Sequence, residues 1–298
     1  MTAREGQTFA GRSAAIRYAN LVKLPHTLFA LPFALVGVVL ASREAPVTVA
    51  AVFWVAIAFG AARFAAMGFN RIVDRDVDAL NPRTASREIP SGAISARAAG
   101  VAVAIASAIF VVAAWRLNPL CLALSPVALG WVLGYSYAKR FTRFAHLWLG
   151  LGLGIAPAGG YLAITGAWSE PWWILPALSL AVMSWVAGFD IFYALQDVSF
   201  DRSQGLHSIP AAVGESRAIL VARVLHGITV AALAVVGIGI GGGAWYLAGV
   251  VAVAALLLYE HSLVRPHDLS RLDAAFFTMN GIISIVFFGF VLAERLLA

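Results

Sequence analysis

Three oxygen-bearing side chains follow one another at four-residue spacing in residues 70–78. Asn70, Asp74 and Asp78 would share one helix face over roughly 12 Å, because four residues of α-helix rise about 6 Å. A row of carboxylates with no lysine between them favours a bound cation. Mg²⁺ accepts one or two protein carboxylates and leaves positions for water or phosphate. The spacing therefore predicts a magnesium and phosphate site, and the alternative is a solvated, charged helix end.

A second copy of this pattern lies later in the chain. Asp197 and Asp201 follow Asp74 and Asp78 at the same offset, and each pair is followed by a basic loop that reaches an Ile-Pro sequence, at 89–90 and at 209–210. The matched spacing indicates an internal repeat whose two copies run in the same direction. Two facing acidic pairs, each able to hold one Mg²⁺, suit a diphosphate, since metal ions offset the charge of the leaving group.

Further polar residues near these pairs are predicted to contact a substrate. An arginine inside a membrane span is a functional candidate by default, and the alternative for Arg63 is a salt bridge to Asp190. For Tyr135 and Lys139 the alternative is an interfacial aromatic belt beside a lysine that extends to the surface. Lys23 is assigned to membrane topology. The predicted set comprises Lys139 as a catalytic residue and Arg63, Arg71, Tyr135, Asp190 and Tyr193 as substrate contacts.

The rest of the chain is strongly apolar. Of its 298 residues 61% are hydrophobic and 12% charged, whereas soluble domains carry about 25% charged residues. Apolar runs near 20 residues recur, which is typical of membrane spans. The sequence predicts a single all-α domain over 1–298 with nine transmembrane helices. They are expected at 25–42, 47–69, 96–115, 119–137, 145–165, 171–192, 218–240, 244–264 and 274–293.

The positive charges divide unequally between the two predicted sides of the membrane. Seventeen of the 21 Lys and Arg residues fall at the amino terminus and in the loops after even-numbered spans, and three fall on the other side. The positive-inside rule places the first set, and both acidic motifs, at the cytoplasmic face of a bacterial-type inner membrane. The pI of about 9.9 is therefore attributed to topology, and no nucleic-acid partner is predicted. The first apolar run is interpreted as a retained helix, and the single Cys121 excludes an internal disulfide.

A diphosphate site at the mouth of an apolar helix bundle favours a prenyl diphosphate, whose tail would lie in the bundle. A cation-coupled transporter is the alternative from another class, and it predicts carboxylates spread across the membrane and an inverted repeat. The histidines lack the spacing of metal ligands.

Four segments together resemble the UbiA superfamily of intramembrane aromatic prenyltransferases, in order and over nearly the whole chain. They read N-R-I-V-D-R-D-V-D, A-L-N-P-R-T-A-S-R-E-I-P-S-G, Y-S-Y-A-K-R-F-T and D-I-F-Y-A-L-Q-D-V-S-F-D-R-S-Q-G-L-H-S-I-P. Within the superfamily the chain looks most like the 4-hydroxybenzoate polyprenyltransferases and a bacterial branch that prenylates a dihydroxynaphthoate in the futalosine route to menaquinone.

The resemblance implies helices around a central cavity that opens to lipid, with the loops at 79–95 and 202–212 capping the site. It implies Mg²⁺-dependent transfer of a polyprenyl group to a hydroxy-aromatic acid, with 4-hydroxybenzoate favoured over a dihydroxynaphthoate and no obligate protein partner. Asp190 is a candidate to orient the acceptor or to take the proton that its ring loses. By resemblance, Asn70, Asp74 and Asp78 form the first Mg²⁺-diphosphate motif, and Asp197 and Asp201 form the second. Tyr135 and Lys139 match a Y-x-x-x-K element that contacts the diphosphate or shapes the pocket.

Overall fold

The computed structural model describes residues 9, 11, 13–265, 269, 271–272 and 278–298, with the backbone alone for 24–29. The long elements of this described part are α-helices, which confirms the all-α class. The helices are α1 Ala14–Leu21, α2 Leu24–Ala41, α3 Val49–Val73, α4 Arg75–Leu80, α5 Ala96–Leu117, α6 Pro119–Ala138, α7 Ala145–Thr165, α8 Ile174–Ala194, α9 Val198–Ser203, α10 Ile209–Val213, α11 Glu215–Gly239, α12 Ala244–Leu263 and α13 Asn280–Leu297.

Eight helices within the described residues are long and apolar enough to cross a membrane. They are α3, α5, α6, α7, α8 with its extension to Ser203, α11, α12 and α13. The remaining predicted span, 25–42, corresponds to α2, of which the side chains are described only from Ala30. The last predicted span begins at 274, outside the described residues, and continues as α13. The protein is therefore an integral membrane protein, as the apolar runs predict.

Side-chain caps define where several of these helices begin. Thr48, Ser95 and Asn118 each accept a hydrogen bond from the backbone N–H three residues later, at 2.9–3.2 Å. Such caps satisfy N–H groups that have no partner within the helix. At the other end of α7, Gly166 has a φ of 65°, a left-handed conformation that glycine adopts without steric cost. These local signals separate one long apolar run into individual spans.

Close backbone contact between α2 and α7 brings together two walls of the bundle. A Cβ atom added at Gly37 would overlap the carbonyl oxygen of Pro157, and one added at Gly160 would overlap that of Ala34. Small residues permit such close approach between membrane helices, where dispersion contacts drive association. Nearer the start of α7, Gly150 lies similarly close to the backbone of α8 at Met183. The helix α7 is therefore held between α2 and α8 at fixed register.

Replacing Gly160 with alanine is expected to destabilise the protein by about 1–3 kcal/mol, because the added methyl group must separate α2 from α7. Gly159 is the matched control, since a Cβ atom there meets nothing within 4 Å. Thermal unfolding of the detergent-solubilised variants measures the difference. The prediction is wrong if Gly160→Ala and Gly159→Ala unfold at the same temperature.

Candidate active site

Each acidic motif lies where a transmembrane helix ends and a short helix begins. The helix α3 ends at Val73, and Asp74 adopts φ −91° and ψ 2° before α4. Asp197 adopts φ −106° and ψ 6° between a 3₁₀ turn and α9. The predicted single helix over residues 70–78 is therefore wrong, but hydrogen bonds between residues four apart continue across the break. The backbone N–H of Asp74 donates to the backbone carbonyl of Asn70 at 2.9 Å, and the N–H of Asp78 donates to the carbonyl of Asp74 at 2.7 Å.

All eleven predicted site residues lie around one cavity of about 600 Å³. The rest of its wall is mainly apolar, with Val55, Phe59 and Phe110 among the lining residues. Their roles remain predictions, because position alone does not test them. The residues that the structure brings together are Arg63, Asn70, Arg71, Asp74, Asp78, Tyr135, Lys139, Asp190, Tyr193, Asp197 and Asp201.

Two arginines of the loop after α4 contact the acidic motifs directly. Arg83 binds Asp197 through Nε to Oδ1 at 3.0 Å and Nη2 to Oδ2 at 2.6 Å, and Asn81 donates to Oδ1 at 3.2 Å. Arg87 pairs with Asp78 at 2.7 Å. The first capping loop thus spans both motifs and places one guanidinium group against a carboxylate of each. This contact agrees with the capping role that the resemblance implies.

Sequence reasoning missed Arg83, Arg87 and His146 as site residues. The two arginines were counted only as topology signals, because the positive-inside rule treats every loop arginine alike. Their four-residue spacing does not distinguish them, because Arg71 and Arg75 share it. His146 carries no sequence signal either, because its partner Asp190 lies 44 residues away in the sequence.

The two arginines at the end of the first motif are oriented differently. Arg71 is buried on the cavity wall, and its Nε donates to the carbonyl of Leu21 at 3.4 Å. Arg75 lies outside, where it pairs with the exposed Asp76 at 3.4 Å. Arg71 therefore faces the site, whereas Asp76 and Arg75 belong to the surface.

The carboxylates of the first motif are only partly satisfied by neighbouring side chains. Asn70 donates to Asp74 at 2.8 Å, and Arg140 lies 3.5 Å from the same carboxylate. Burial, and next the neighbouring Asp78, raises the pKa of Asp74. The Oδ2 atom of Asp78 is buried without a hydrogen-bond partner among the described residues. A divalent cation would satisfy these oxygens and, by favouring the charged carboxylate, would offset the rise in the pKa of Asp74.

The carboxylate set fits two open metal sites. Within the described part of the chain, no three His, Cys, Asp or Glu residues cluster closely enough to enclose a metal ion. Paired carboxylates leave further coordination positions for phosphate oxygens, which is how Mg²⁺ usually binds with phosphorylated substrates. Asn70, Asp74 and Asp78 could hold one ion, and Asp197 and Asp201 the other. A second-loop contact orients Asp201, whose Oδ2 accepts from Ser208 at 2.8 Å.

Lys139 is placed between the two motifs. It interacts electrostatically with Asp74, Asp197 and Asp201, so its ammonium group serves both halves of the repeat. Its backbone carbonyl accepts a hydrogen bond from the N–H of His207 at 2.7 Å, which ties the end of α6 to the second capping loop. This arrangement favours a role at an anionic group over the alternative of a lysine that extends to the membrane surface.

Tyr193 lies between two cations on the cavity wall. Arg83 Nη1 donates to its hydroxyl at 2.7 Å, and Lys23 Nζ lies 3.5 Å from the same oxygen. Both cations also lie over the ring, at 4.9 and 5.7 Å from its centroid. Lys23 has a φ of 45°, which is uncommon outside glycine and clusters at functional sites. The sequence assigned Lys23 to topology, but the structure brings it to the cavity.

Lys23 is expected to make stability depend on alkaline pH. Burial, followed by the charges of Arg71, Arg87 and Arg83, lowers its pKa well below the ordinary value of 10.5. The unfolded chain therefore binds this proton at a higher pH than the folded protein does. As the pH rises towards 10.5 from the folded-state pKa, the free energy of unfolding should increase.

Lys23→Met is expected to flatten this increase, because methionine cannot be protonated. The measurement is the thermal unfolding midpoint of the solubilised wild type and variant across the alkaline range. Parallel curves for the two proteins would contradict the prediction.

Asp190 lies deeper in the cavity and pairs with a histidine. His146 Nδ1 lies 2.6 Å from Asp190 Oδ2, so the predicted alternative of an Arg63–Asp190 salt bridge is not formed. Arg63 and Tyr135 still interact electrostatically with Asp190 from neighbouring walls. The Nε atom of Arg63 is buried without a hydrogen-bond partner among the described residues. An anionic or hydroxylated ligand placed here would contact hydrogen-bond donors of Arg63 and Tyr135 and one acceptor, the carboxylate of Asp190.

These features define an intramembrane enzyme with a polar reaction site at one end of an apolar cavity. The chain belongs to the UbiA prenyltransferase family, whose sequence model matches residues 30–282. A curated relative from Alkalilimnicola ehrlichii, a 4-hydroxybenzoate octaprenyltransferase, is 32% identical over 231 residues, which cover 77% of each chain. The protein is thus a prenyltransferase, and the transporter alternative is set aside.

Solved structures agree with this assignment. The apo structure of a UbiA homolog from Aeropyrum pernix K1 has a TM-score of 0.83 and 36% identity, with 91% of this chain and 98% of that chain covered. A UbiA homolog from Archaeoglobus fulgidus bound to DMAPP and Mg²⁺ has a TM-score of 0.75 over 95% of this chain and 100% of that one. Its identity is 22%, so it supports the fold.

Proposed function

We propose that the protein transfers a polyprenyl group from a polyprenyl diphosphate to the ring of a hydroxy-aromatic acid, with 4-hydroxybenzoate as the favoured acceptor. The reaction depends on Mg²⁺ and takes place at the cytoplasmic side of the inner membrane, as a step of quinone biosynthesis. The observation that carries the proposal is the pairing of two acidic motifs at one end of a cavity whose remaining wall is apolar. The curated relatives named 4-hydroxybenzoate octaprenyltransferase support the choice of acceptor.

In this proposal the two motifs hold the diphosphate head. Asn70, Asp74 and Asp78 bind one Mg²⁺, and Asp197 and Asp201 bind the other. When bound, these ions neutralise the charge that develops on the departing diphosphate. Lys139 and the capping-loop arginines add fixed positive charge at the same end of the cavity. Positioned charges of this kind stabilise a transition state without reorganising during the reaction.

The chain's other residues act on the prenyl tail and the acceptor. The apolar wall excludes water, so the allylic cation that forms as the C–O bond breaks is kept from hydrolysis. The electron-rich ring carbon ortho to the acceptor's hydroxyl forms the new C–C bond. Tyr135 and Arg63 bind the acceptor, and Asp190 takes the proton that the substituted ring carbon loses. Diphosphate leaves with the electron pair of the broken bond.

The acceptor is tested with purified protein in liposomes, labelled prenyl diphosphates of increasing length and a panel of aromatic acids. We expect labelled product from 4-hydroxybenzoate with Mg²⁺ present, and none after chelation. Product from a dihydroxynaphthoate alone would overturn the assigned acceptor and place the enzyme in menaquinone biosynthesis. Transfer to no aromatic acid, or transfer without a divalent metal, would overturn the proposed reaction.

A further inference from the structure

The carboxylate of Asp190 is held by a histidine that has no contact with solvent. Asp190 lines the cavity with 15% of its side chain exposed, whereas the side chain of His146 is completely buried behind it. The bond between His146 Nδ1 and Asp190 Oδ2 is 2.6 Å long. It uses one carboxylate oxygen and leaves Oδ1 for the cavity.

A backbone contact selects the tautomer of His146. The N–H of Ile209 points to His146 Nε2 at 3.4 Å, and a backbone N–H can only donate. Nε2 therefore carries the lone pair, and the proton of the neutral ring resides on Nδ1, from which it is donated to Asp190. The histidine thereby connects the cavity carboxylate to Ile209, the first residue of α10 in the second capping loop.

The position of His146 is rigid. It lies in the first turn of α7, and α7 is fixed against α8 because Gly150 and Gly154 contact the backbone at Met183 and Ser179. Asp190 lies further along the same helix α8. A side chain on packed helices varies little in position and orientation, whereas a side chain on a loop varies more.

We propose that His146 is a positioning residue that directs Asp190 Oδ1 towards the ring carbon undergoing substitution. This inference rests on the proposed transfer to an aromatic ring. After the new C–C bond forms, the proton on that carbon passes to Asp190 Oδ1, and the electron pair of the C–H bond returns to the ring. Asp190 becomes neutral and later releases this proton to water. His146 never contacts the substrate.

The test is a kinetic isotope effect on kcat with an acceptor deuterated at the substituted ring carbon. In His146→Leu we expect kcat to fall about 10- to 100-fold, since general-base catalysis contributes roughly 10²–10⁴-fold and a misplaced base retains part of it. Proton removal then limits the rate, so the isotope effect should rise above the wild-type value. The KM for the prenyl diphosphate should not change, because Asp190 does not hold the diphosphate.

His146→Asn is the rescue variant, since its amide keeps an N–H donor near the position of Nδ1. We expect it to recover most of the lost kcat and to return the isotope effect towards the wild-type value. His226→Leu is the matched control for loss of a buried histidine. His226 bonds His261 and the carbonyl of Trp185 but does not line the cavity, so its substitution should leave the isotope effect unchanged.

Two outcomes would overturn the inference. One is a His146→Leu enzyme with wild-type kcat. The other is a lowered kcat with an unchanged isotope effect, which is what a purely structural histidine would produce. The double variant with Asp190→Asn provides a further check, because losses that act through one carboxylate do not add. Failure of the proposed function is distinguishable, since the wild type would then transfer no prenyl group to an aromatic ring.

Discussion

Alanine at Asp74 or at Asp197 is expected to abolish Mg²⁺-dependent prenyl transfer, with kcat/KM lowered by at least about a thousandfold. The two residues belong to different motifs, and each motif is proposed to hold one of the two ions on the diphosphate. Neither motif should compensate for the other, because each would hold its own ion and the loss of either carboxylate would leave one ion without its ligand. Transfer of label from prenyl diphosphate to 4-hydroxybenzoate, with protein quantified in the membrane, measures the loss.

Asp76→Ala is the matched control for this experiment. Asp76 lies between Asp74 and Asp78 in the sequence, but its side chain is 83% exposed and pairs only weakly with Arg75. An exposed ion pair of this kind contributes little to stability. We expect wild-type activity from Asp76→Ala. Full activity in either Asp74→Ala or Asp197→Ala would refute the two-motif interpretation. Asp197→Asn, which keeps an oxygen for Arg83, separates lost catalysis from lost folding.

Arg83→Gln is expected to raise the affinity for metal ions and to lower the rate of prenyl transfer. In the structure its guanidinium binds both oxygens of Asp197, so it competes with a metal ion for this carboxylate. Without the arginine, Mn²⁺ should bind about tenfold more tightly in the absence of diphosphate, since hydrogen bonds to charged groups contribute about 1.5–3 kcal/mol. Prenyl transfer should nevertheless fall about a hundredfold, because a fixed positive charge at the leaving group is lost.

Electron paramagnetic resonance of Mn²⁺ measures the first effect, and the transfer assay measures the second. Arg202→Gln is the control, because Arg202 lies in the second capping loop and donates to the carbonyl of Ala211 rather than to a motif carboxylate. We expect it to change neither quantity. Unchanged or weaker Mn²⁺ binding in Arg83→Gln would show that Arg83 does not compete with the metal.

Local features of the sequence were sufficient to predict the membrane spans and the four-residue spacing along each motif. Apolar runs predict membrane helices because a membrane span must satisfy its backbone hydrogen bonds internally. The four-residue spacing of Asp74 with Asp78 and of Asp197 with Asp201 predicted a common face, because the helical repeat is set by neighbouring residues. The four-residue repeat is kept although α3 ends at Val73. The backbone N–H of Asp74 donates to the carbonyl of Asn70, and the N–H of Asp78 donates to the carbonyl of Asp74.

Only the tertiary structure decided which charges meet. Arg83 and Asp197 are 114 residues apart, and His146 and Asp190 are 44 apart, so no periodicity relates them. Their contacts depend on how closely helices such as α7 and α8 approach each other, which small residues permit without specifying a partner. A basic loop residue is also consistent with topology alone, so Arg83, Arg87 and Lys23 could not be separated from the other loop cations by sequence. The packed fold separates them, because it places these three half-buried beside carboxylates and a tyrosine and leaves residues such as Arg75 at the surface.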